Sequence, residues 1–191
     1  MDTRETLVAA ALTVLEQDGE AQFSTRAVCA IANVTAPTLY HHFGAADGLL
    51  SAAMAEAFAQ FLQRKKAAIQ SSDPETALRE GWDDYVRFAA ERPRLYAAMM
   101  SRVLQGAKIP AAEQGFAHLT GQIAAIAAEG RLAVEPGVAA DLTWASANAA
   151  ALLHVTAQSR KTAPPSPAVV NGLRDLAMTL ITTPKAKGKS R

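Results

Sequence analysis

Residues 24–50 read STRAVCAIANVTAPTLYHHFGAADGLL, and this stretch predicts two short helices joined by a tight turn. Ser24 or Thr25 can cap the first helix, because a side-chain oxygen there accepts a free N–H of the first turn. Asn33 suits the left-handed conformation that ends a helix, and Thr35 can cap the second helix. Two helices with this spacing form a helix-turn-helix, whose second helix can enter the major groove of DNA.

Apolar residues in the stretch recur at helical spacing. Val28 and Ile31 give the first helix an apolar face, and Leu39 and Phe43 give the second helix another. A glycine follows the second helix, and Asp47 is placed to cap a third. The pattern therefore predicts that these apolar faces pack together and that the other faces of the second helix are polar.

The polar side chains of the second helix are suited to phosphate contacts. Hydroxyl groups and helix N-termini donate hydrogen bonds to phosphate oxygens, and histidine does so more strongly when it is protonated. From the residues alone, a solvated or partly buried helix face is an equal alternative for Tyr40, His41 and His42. A metal site at the two histidines is disfavoured, because adjacent residues point about 100° apart on a helix.

The stretch resembles the tetracycline-repressor (TetR) family of bacterial transcriptional regulators. The resemblance is carried by Thr25, the Ile31-Ala32 pair and Val34-Thr35, and above all by the run TLYHHF at residues 38–43. It implies a head that binds a double-stranded DNA operator. The residues expected to contact DNA are Arg4, Thr25, Arg26, Thr35, Ala36, Pro37, Thr38, Tyr40, His41 and His42.

Two features depart from this family's pattern. Members commonly carry a lysine where this chain has Ala46, at the start of the third helix. Residues 1–50 contain two bases, Arg4 and Arg26, against six acids, which is a net charge of −4. A DNA-binding domain usually presents a basic face. A second hypothesis is therefore a helical dimer that acts as a ligand-binding or interaction module and has lost operator binding.

Composition limits the class of protein. A chain of 191 residues that is 50% hydrophobic can form one compact unit or two small ones, and its net charge of +1 names no partner. The single Cys29 allows no disulfide within the chain and is expected to be a small core residue. No signal peptide or membrane span is recognisable, which predicts a cytoplasmic protein with no membrane partner. With no nucleophile elbow, phosphate loop, or HExxH or CxxC spacing, we predict no enzyme activity, catalytic residue, metal or cofactor.

The whole chain is predicted to be all-α, with about nine helices, because alanine is abundant and β-branched runs are few. Caps and prolines mark the helix ends. Outside the helix-turn-helix, the predicted helices span residues 3–17, 47–70, 74–91, 93–104, 110–129, 136–159 and 168–181. We expect a helix-turn-helix DNA-binding domain over 1–47, an effector-binding and dimerisation domain over 48–183, and a disordered basic tail over 184–191.

The last two helices favour a homodimer. Small residues recur on one face of the helix over 136–159, and Val169, Leu173 and Leu176 recur on the final helix. Together they look like half of an intermolecular four-helix bundle. The alternative is that both faces are buried inside one protomer.

A small-molecule effector is implied by the family resemblance, in which ligand binding changes the tilt of the DNA-binding heads. Ligand pockets are mostly apolar and carry a few polar groups. The candidate lining residues are Trp82, Tyr85, Phe88, Tyr96, Met99, Met100, Phe116, His118, Trp144 and Asn148. For each one, ordinary core packing is the commoner alternative. Because this set carries almost no cation, it favours an apolar, neutral or weakly cationic ligand.

Overall fold

The computed structural model describes residues 2–183, which form nine α-helices, one short 3-10 helix at Glu20–Gln22 and no strand beyond a single isolated bridge. The helices are α1 Thr3–Gln17, α2 Thr25–Ala32, α3 Ala36–Phe43, α4 Ala46–Ala68, α5 Pro74–Glu91, α6 Pro93–Leu104, α7 Pro110–Ala128, α8 Pro136–Arg160 and α9 Pro167–Ile181. The all-α prediction is confirmed. The predicted tail over 184–191 lies outside the described residues.

The ends of α2 and α3 follow from their capping residues. Ser24 Oγ accepts a hydrogen bond from the backbone N–H three residues later, at 3.2 Å. Asn33 has φ 53° and ψ 46°, which is the left-handed conformation, and Gly44 has φ 72° and ψ −46°, so both helices end in a residue with positive φ. Thr35 occupies the N-cap position of α3, but its hydroxyl lies 2.9 Å from the Thr38 hydroxyl and receives no helix N–H. The expected side-chain cap at Thr35 is therefore wrong.

The corner between α3 and α4 depends on a glycine. Helix α4 begins at Ala46, so Asp47 lies inside its first turn and the prediction that Asp47 caps the helix is wrong. A Cβ added at Gly48 would lie 2.2 Å from the carbonyl oxygen of Phe43. Only a residue without a side chain allows the two helices to meet this closely.

The core of the helix-turn-helix is smaller than the apolar pattern predicts. Val28 and Leu39 are fully buried, together with Leu7 and Leu15 of α1. Ile31 is 48% exposed, which contradicts its expected place on the inner face of α2. Spacing shows that two residues share a helix face, whereas burial depends on how far the neighbouring helices extend over that face.

The chain divides into two compact units. The first unit comprises Met1–Gln63 and Glu91–Ala112, and the second comprises Arg64–Ala90 and the residues from Glu113 onward. Helix α6 belongs to the first unit, where it packs against α1 and the 3-10 helix. These units divide the chain differently from the predicted functional domains, and the functional division stays a prediction.

The second unit has a core of its own. Helices α8 and α9 pack against each other, and the core is closed by α5 and α7. Its largest buried members include Trp82, Ile123, Ile126, Met178 and Ile181. No helix within residues 2–183 has the length and apolar character needed to cross a membrane.

An arginine joins the start of α5 to the end of α7 in the second unit. Arg131 donates to Asp73 at 2.7 Å and Glu129 at 2.8 Å through Nη1, and to Glu75 at 2.5 Å through Nη2. Asp73 also accepts the backbone N–H of Thr76 at 2.9 Å, as a helix cap does. These hydrogen bonds, first the one from the Thr76 backbone and then that from Arg131, hold the pKa of Asp73 well below its ordinary value.

Candidate nucleic-acid interface

Helix α3 is anchored by one residue and exposes most of the others. Leu39 is fully buried, and Phe43 is half-buried. Tyr40 is 46% exposed, and His41 and His42 are exposed as well. The polar groups of α3 therefore face solvent, as a helix that contacts another molecule requires.

The N-terminal end of α3 presents hydroxyl groups and no competing acid. Thr35, Ala36 and Pro37 are exposed, and Thr38 is half-buried. Since the hydroxyls of Thr35 and Thr38 bond to each other, one of their two hydroxyl hydrogens is left to donate outward. This end of the helix can therefore donate to a phosphate or to a base edge.

Arg4 lies beside the C-terminal end of α3. The central carbon of its guanidinium group lies 5.2 Å from the centroid of the Phe43 ring, which is a cation–π distance. The N-terminus of α1 itself is occupied, because Asp2 and Glu5 each accept the other's backbone N–H, at 2.8 Å and 2.9 Å. Arg4 can therefore contact a phosphate, whereas the backbone N–H groups of Asp2 and Glu5 are already bonded.

The two predicted residues on α2 lie next to its N-cap. Arg26 is exposed, and Thr25 is half-buried. Cys29, on the same helix, is half-buried, and so it is not the core residue that was expected. Neither Thr25 nor Arg26 has a feature that distinguishes a DNA contact from an ordinary surface position.

Acids of the first unit are paired with arginines of α6. Arg92 lies 3.4 Å from Glu16, and Arg102 lies 3.2 Å from Glu20 and 3.8 Å from Asp47. Pairs this exposed contribute little to stability, but they cancel charge locally. The net charge of −4 over residues 1–50 therefore overstates how acidic this unit is. Sequence reasoning missed this, since no local signal links bases at 92–102 to acids at 16–47.

The two histidine rings of α3 meet edge to face. Their ring centroids are 5.4 Å apart with an interplanar angle of 73°. Within the described chain, no group of three or more His, Cys, Asp and Glu side chains is placed to hold a metal ion.

The candidate effector residues are divided between the two compact units. Tyr96 and Met99 are buried on α6 in the first unit, where Met100 is half-buried. The other seven lie in the second unit. Phe116 and Trp144 are 44% and 40% exposed, so neither lines an enclosed cavity in its own unit.

Several of the second-unit candidates are bonded to one another or to their neighbours. Trp82 is buried, and its Nε1 donates to Ser146 Oγ at 2.9 Å. The Tyr85 hydroxyl donates to Asn148 Oδ1 at 2.9 Å. Phe88 is 1% exposed. These contacts are those of ordinary core packing, which was the alternative considered for each residue.

An open groove of about 280 Å³ lies in the second unit among α5, α8, α9 and the proline-rich loop before α9. Its lining residues are Trp82, Asp83, Val86, Arg87, Ala90, His154, Pro165, Pro167, Val170 and Asn171. Trp82 belongs to the candidate lining residues given above. Burial lowers the pKa of His154, which favours a neutral imidazole in the groove wall. Three prolines at 164–167 favour a stiff loop, but nothing in the sequence indicates that this loop lies against α5.

Comparisons with known proteins agree with this geometry. Residues 7–53 match the model of a family described as bacterial regulatory proteins, tetR family. A search of curated proteins gave no match. A TetR-family transcriptional regulator from Pectobacterium atrosepticum is 26% identical, with a TM-score of 0.71 over 96% of both chains.

Two other solved structures share the fold at lower identity. A protein with unknown function from Rhodococcus sp. RHA1 is 20% identical, with a TM-score of 0.77 over 96% of this chain and 97% of that one. The multidrug binding protein EbrR, complexed with imidazole, is 22% identical, with a TM-score of 0.65 over 95% of this chain and 90% of that one.

Proposed function

The chain belongs to the tetR family of bacterial regulatory proteins, and on that premise we propose that it is a homodimeric repressor which a small-molecule effector releases from a palindromic operator. The observation that carries this proposal is the exposure of α3. Tyr40, His41 and His42 face solvent while Leu39 alone anchors the helix, so the polar face is available to the major groove.

A dimer is supported by apolar side chains that one protomer leaves exposed. Leu152 of α8 is 59% exposed, and Val169, Leu176 and Leu180 of α9 are 50%, 60% and 50% exposed. The three on α9 recur at helical spacing, and α9 packs against α8. A stripe of this kind marks an interaction surface. A two-fold dimer would bring two α3 helices to two half-sites of a palindrome.

Release by an effector requires a ligand that binds one conformation of the dimer better than another. Two places in the second unit could bind such a ligand: the open groove, and the buried side-chain nitrogens of His118 and Gln122 on α7. EbrR, which shares this fold, is a multidrug binding protein whose structure holds imidazole. The identity of that protein's ligand does not carry over to this chain.

The second candidate, a helical ligand-binding or interaction module that has lost operator binding, is motivated by the acidic residues 1–50 and by Ala46. Glu16, Glu20 and Asp47 form ion pairs with arginines of α6, which leaves fewer unpaired acids near the helix-turn-helix. This weakens the argument that the acidic charge prevents DNA binding. Charge pairing leaves α3 free to bind through hydroxyls and histidines, with a shallow dependence on salt.

The test is a selection of bound fragments from random-sequence DNA at low salt, using the purified full-length chain. A matched control carries Tyr40→Ala and His42→Ala, which remove two exposed groups and leave Leu39 in place. We expect an enriched palindrome with the wild type, and with the control the same palindrome at a lower bound fraction, because phosphate contacts carry no base preference. No enrichment by a wild-type protein that is folded and dimeric would reject operator binding and favour the second candidate.

A further inference from the structure

One lysine is buried in the second unit. Lys65 of α4 is only 8% exposed, and among residues 2–183 it makes no ion pair and no hydrogen bond. Lysine is almost never buried without a partner, because removing an ammonium group from water is costly. A buried lysine without an ion pair indicates a site whose counter-charge comes from another molecule.

A missing side chain on α5 brings Lys65 next to α7. A Cβ added at Gly81 would lie 3.5 Å from Lys65 Cε and 3.7 Å from Gln122 Oε1. The Lys65 ammonium lies 6.0 Å from the centroid of the Tyr85 ring, so one flank of the cation faces an aromatic surface. Lys65 and Gln122 therefore meet over the backbone of Gly81.

The polar atoms around Lys65 have unmet hydrogen-bonding capacity. Gln122 Nε2 and His118 Nε2 are buried and have no partner among the described residues. Gln122 and His118 are four residues apart on α7 and so share one face of that helix. Nearly all buried polar groups in native proteins are hydrogen-bonded. Three nitrogen groups, from Lys65, Gln122 and His118, thus lie together without acceptors.

Around Lys65, positively charged side chains outnumber the carboxylates that could pair with them. Asp84 is fully buried, and its Oδ1 accepts from Arg64 Nε at 3.0 Å and from Arg87 Nη2 at 2.5 Å. Two guanidinium groups therefore already share this carboxylate, and Lys65 is left as a surplus cation. Burial lowers the pKa of Lys65 despite the opposing attraction of Asp84. Burial, Lys65 and the exposed Lys66 lower the pKa of His118, so its ring is neutral near pH 7 and can donate from one nitrogen.

We propose that Lys65, Gln122 and His118 form a recognition site for the carboxylate of a small organic acid. This assignment rests on the proposed function, whose effector it names by chemical class. It replaces the neutral or weakly cationic ligand expected from the candidate residues, a set that did not include Lys65. The second oxygen of Asp84 has no donor within residues 2–183, so a hydroxyl or N–H on the same acid would also find a partner.

Straight-chain carboxylates from acetate to decanoate, with the alcohols of the same length, test the assignment. Binding to the full-length protein is measured by titration calorimetry without DNA, for the wild type, Lys65→Met and the exposed-neighbour control Lys66→Met. We expect at least one carboxylate to bind and its alcohol to bind at least tenfold more weakly. Lys65→Met should weaken carboxylate binding at least tenfold, whereas Lys66→Met should change it less than twofold.

A folded variant is expected, because methionine fits the volume of the lysine stem and removes a buried charge; the melting temperature checks this. Gln122→Met, on another helix, is a second variant that should also weaken carboxylate binding. The assignment is overturned if no carboxylate binds, if alcohols bind as tightly, or if Lys65→Met binds like the wild type. Lys65-dependent binding in a protein that selects no DNA would support this site and reject the operator-binding proposal, so the two failures are distinguishable.

Discussion

At the scale of single residues, Gly48 is the position where one added carbon has the largest expected effect. Its Cβ would lie 2.2 Å from the Phe43 carbonyl oxygen, a backbone atom that cannot rotate away. We expect Gly48→Ala to lower the free energy of unfolding by about 1–3 kcal/mol, the range for forced overpacking. It should also weaken DNA binding, since it displaces the end of α3. Urea unfolding at fixed protein concentration measures the first effect.

A matched control lies on α7. Gly121 is exposed, and an added Cβ there would have no heavy atom within 4 Å. Because alanine is the better helix former, Gly121→Ala should raise the unfolding free energy by up to about 1 kcal/mol. If both substitutions stabilise the protein, the close approach at Gly48 is wrong.

The exposed groups of α3 lead to a second prediction at this scale. Tyr40→Phe and His42→Ala should each weaken binding by about 0.5–1.5 kcal/mol, the net value of one hydrogen bond. The loss should be nearly the same for every sequence, because phosphate contacts position a protein on DNA and carry no base preference. Thr38→Ala should instead alter base preference. Affinities for a panel of operator variants separate the two effects, and equal behaviour of all three variants would refute these roles.

Single residues also mark where sequence reasoning succeeds and where it stops. Ser24 caps the start of α2 as predicted, and Asn33 and Gly44 follow the ends of α2 and α3 as predicted. These positions are predictable because capping depends on one side chain and the backbone next to it. The exposure of Ile31 and the burial of Lys65 were not predictable in this way. Both depend on which distant helix covers a given face, and that information is not local.

At the scale of elements, the link between α5 and the end of α7 predicts a dependence of stability on pH. The pKa of Asp73 is lowered by its bonds to the Thr76 backbone and to Arg131. A lowered pKa means that Asp73 contributes to stability above its unfolded pKa of about 3.9, and that the contribution is lost as the pH falls further. The stability of the second unit should therefore decline below about pH 4.

Asp73→Asn tests this link, since asparagine keeps the helix cap and loses the ion pair with Arg131. We expect the variant to be less stable than the wild type at pH 7, and the difference to shrink as the pH is lowered below about 4. Urea unfolding at pH 7 and pH 3 gives the comparison without adding salt. A difference that is constant with pH would show that the ion pair contributes nothing.

Element boundaries were the best-predicted part of the chain, and element partners were the worst. The prolines at 74, 93 and 110 open their helices at the predicted residues, because proline fixes its own backbone and has no N–H to lose there. The sequence did not predict that α6 packs on α1. It also did not predict that the loop at 163–167 lines a groove beside Trp82. These pairings are set by the whole core and not by any segment within it.

At the scale of the whole molecule, the exposed stripe of α9 predicts the oligomeric state. Leu176→Asp should convert a dimer to monomers, because it places a charge in the proposed interface. Leu104→Asp is the control, since Leu104 is 80% exposed on α6 and lies outside that stripe. Analytical ultracentrifugation should show monomers for the first variant and dimers for the second. Operator affinity should fall at least tenfold only for Leu176→Asp, and a dimeric Leu176→Asp protein would contradict the proposed interface.

The first unit is built from two separate stretches of the chain, and this limits whether the helix-turn-helix part can fold when it is moved to another protein. Its helix-turn-helix packs with α1, and α1 in turn packs with α6, which comes from residues 91–112. A chimera cut at residue 47 or 63 would leave behind the helix that covers α1 and the arginines that pair with its acids. A fusion that carries the first unit to another protein must therefore include both residues 1–63 and residues 91–112, joined by a linker in place of α5.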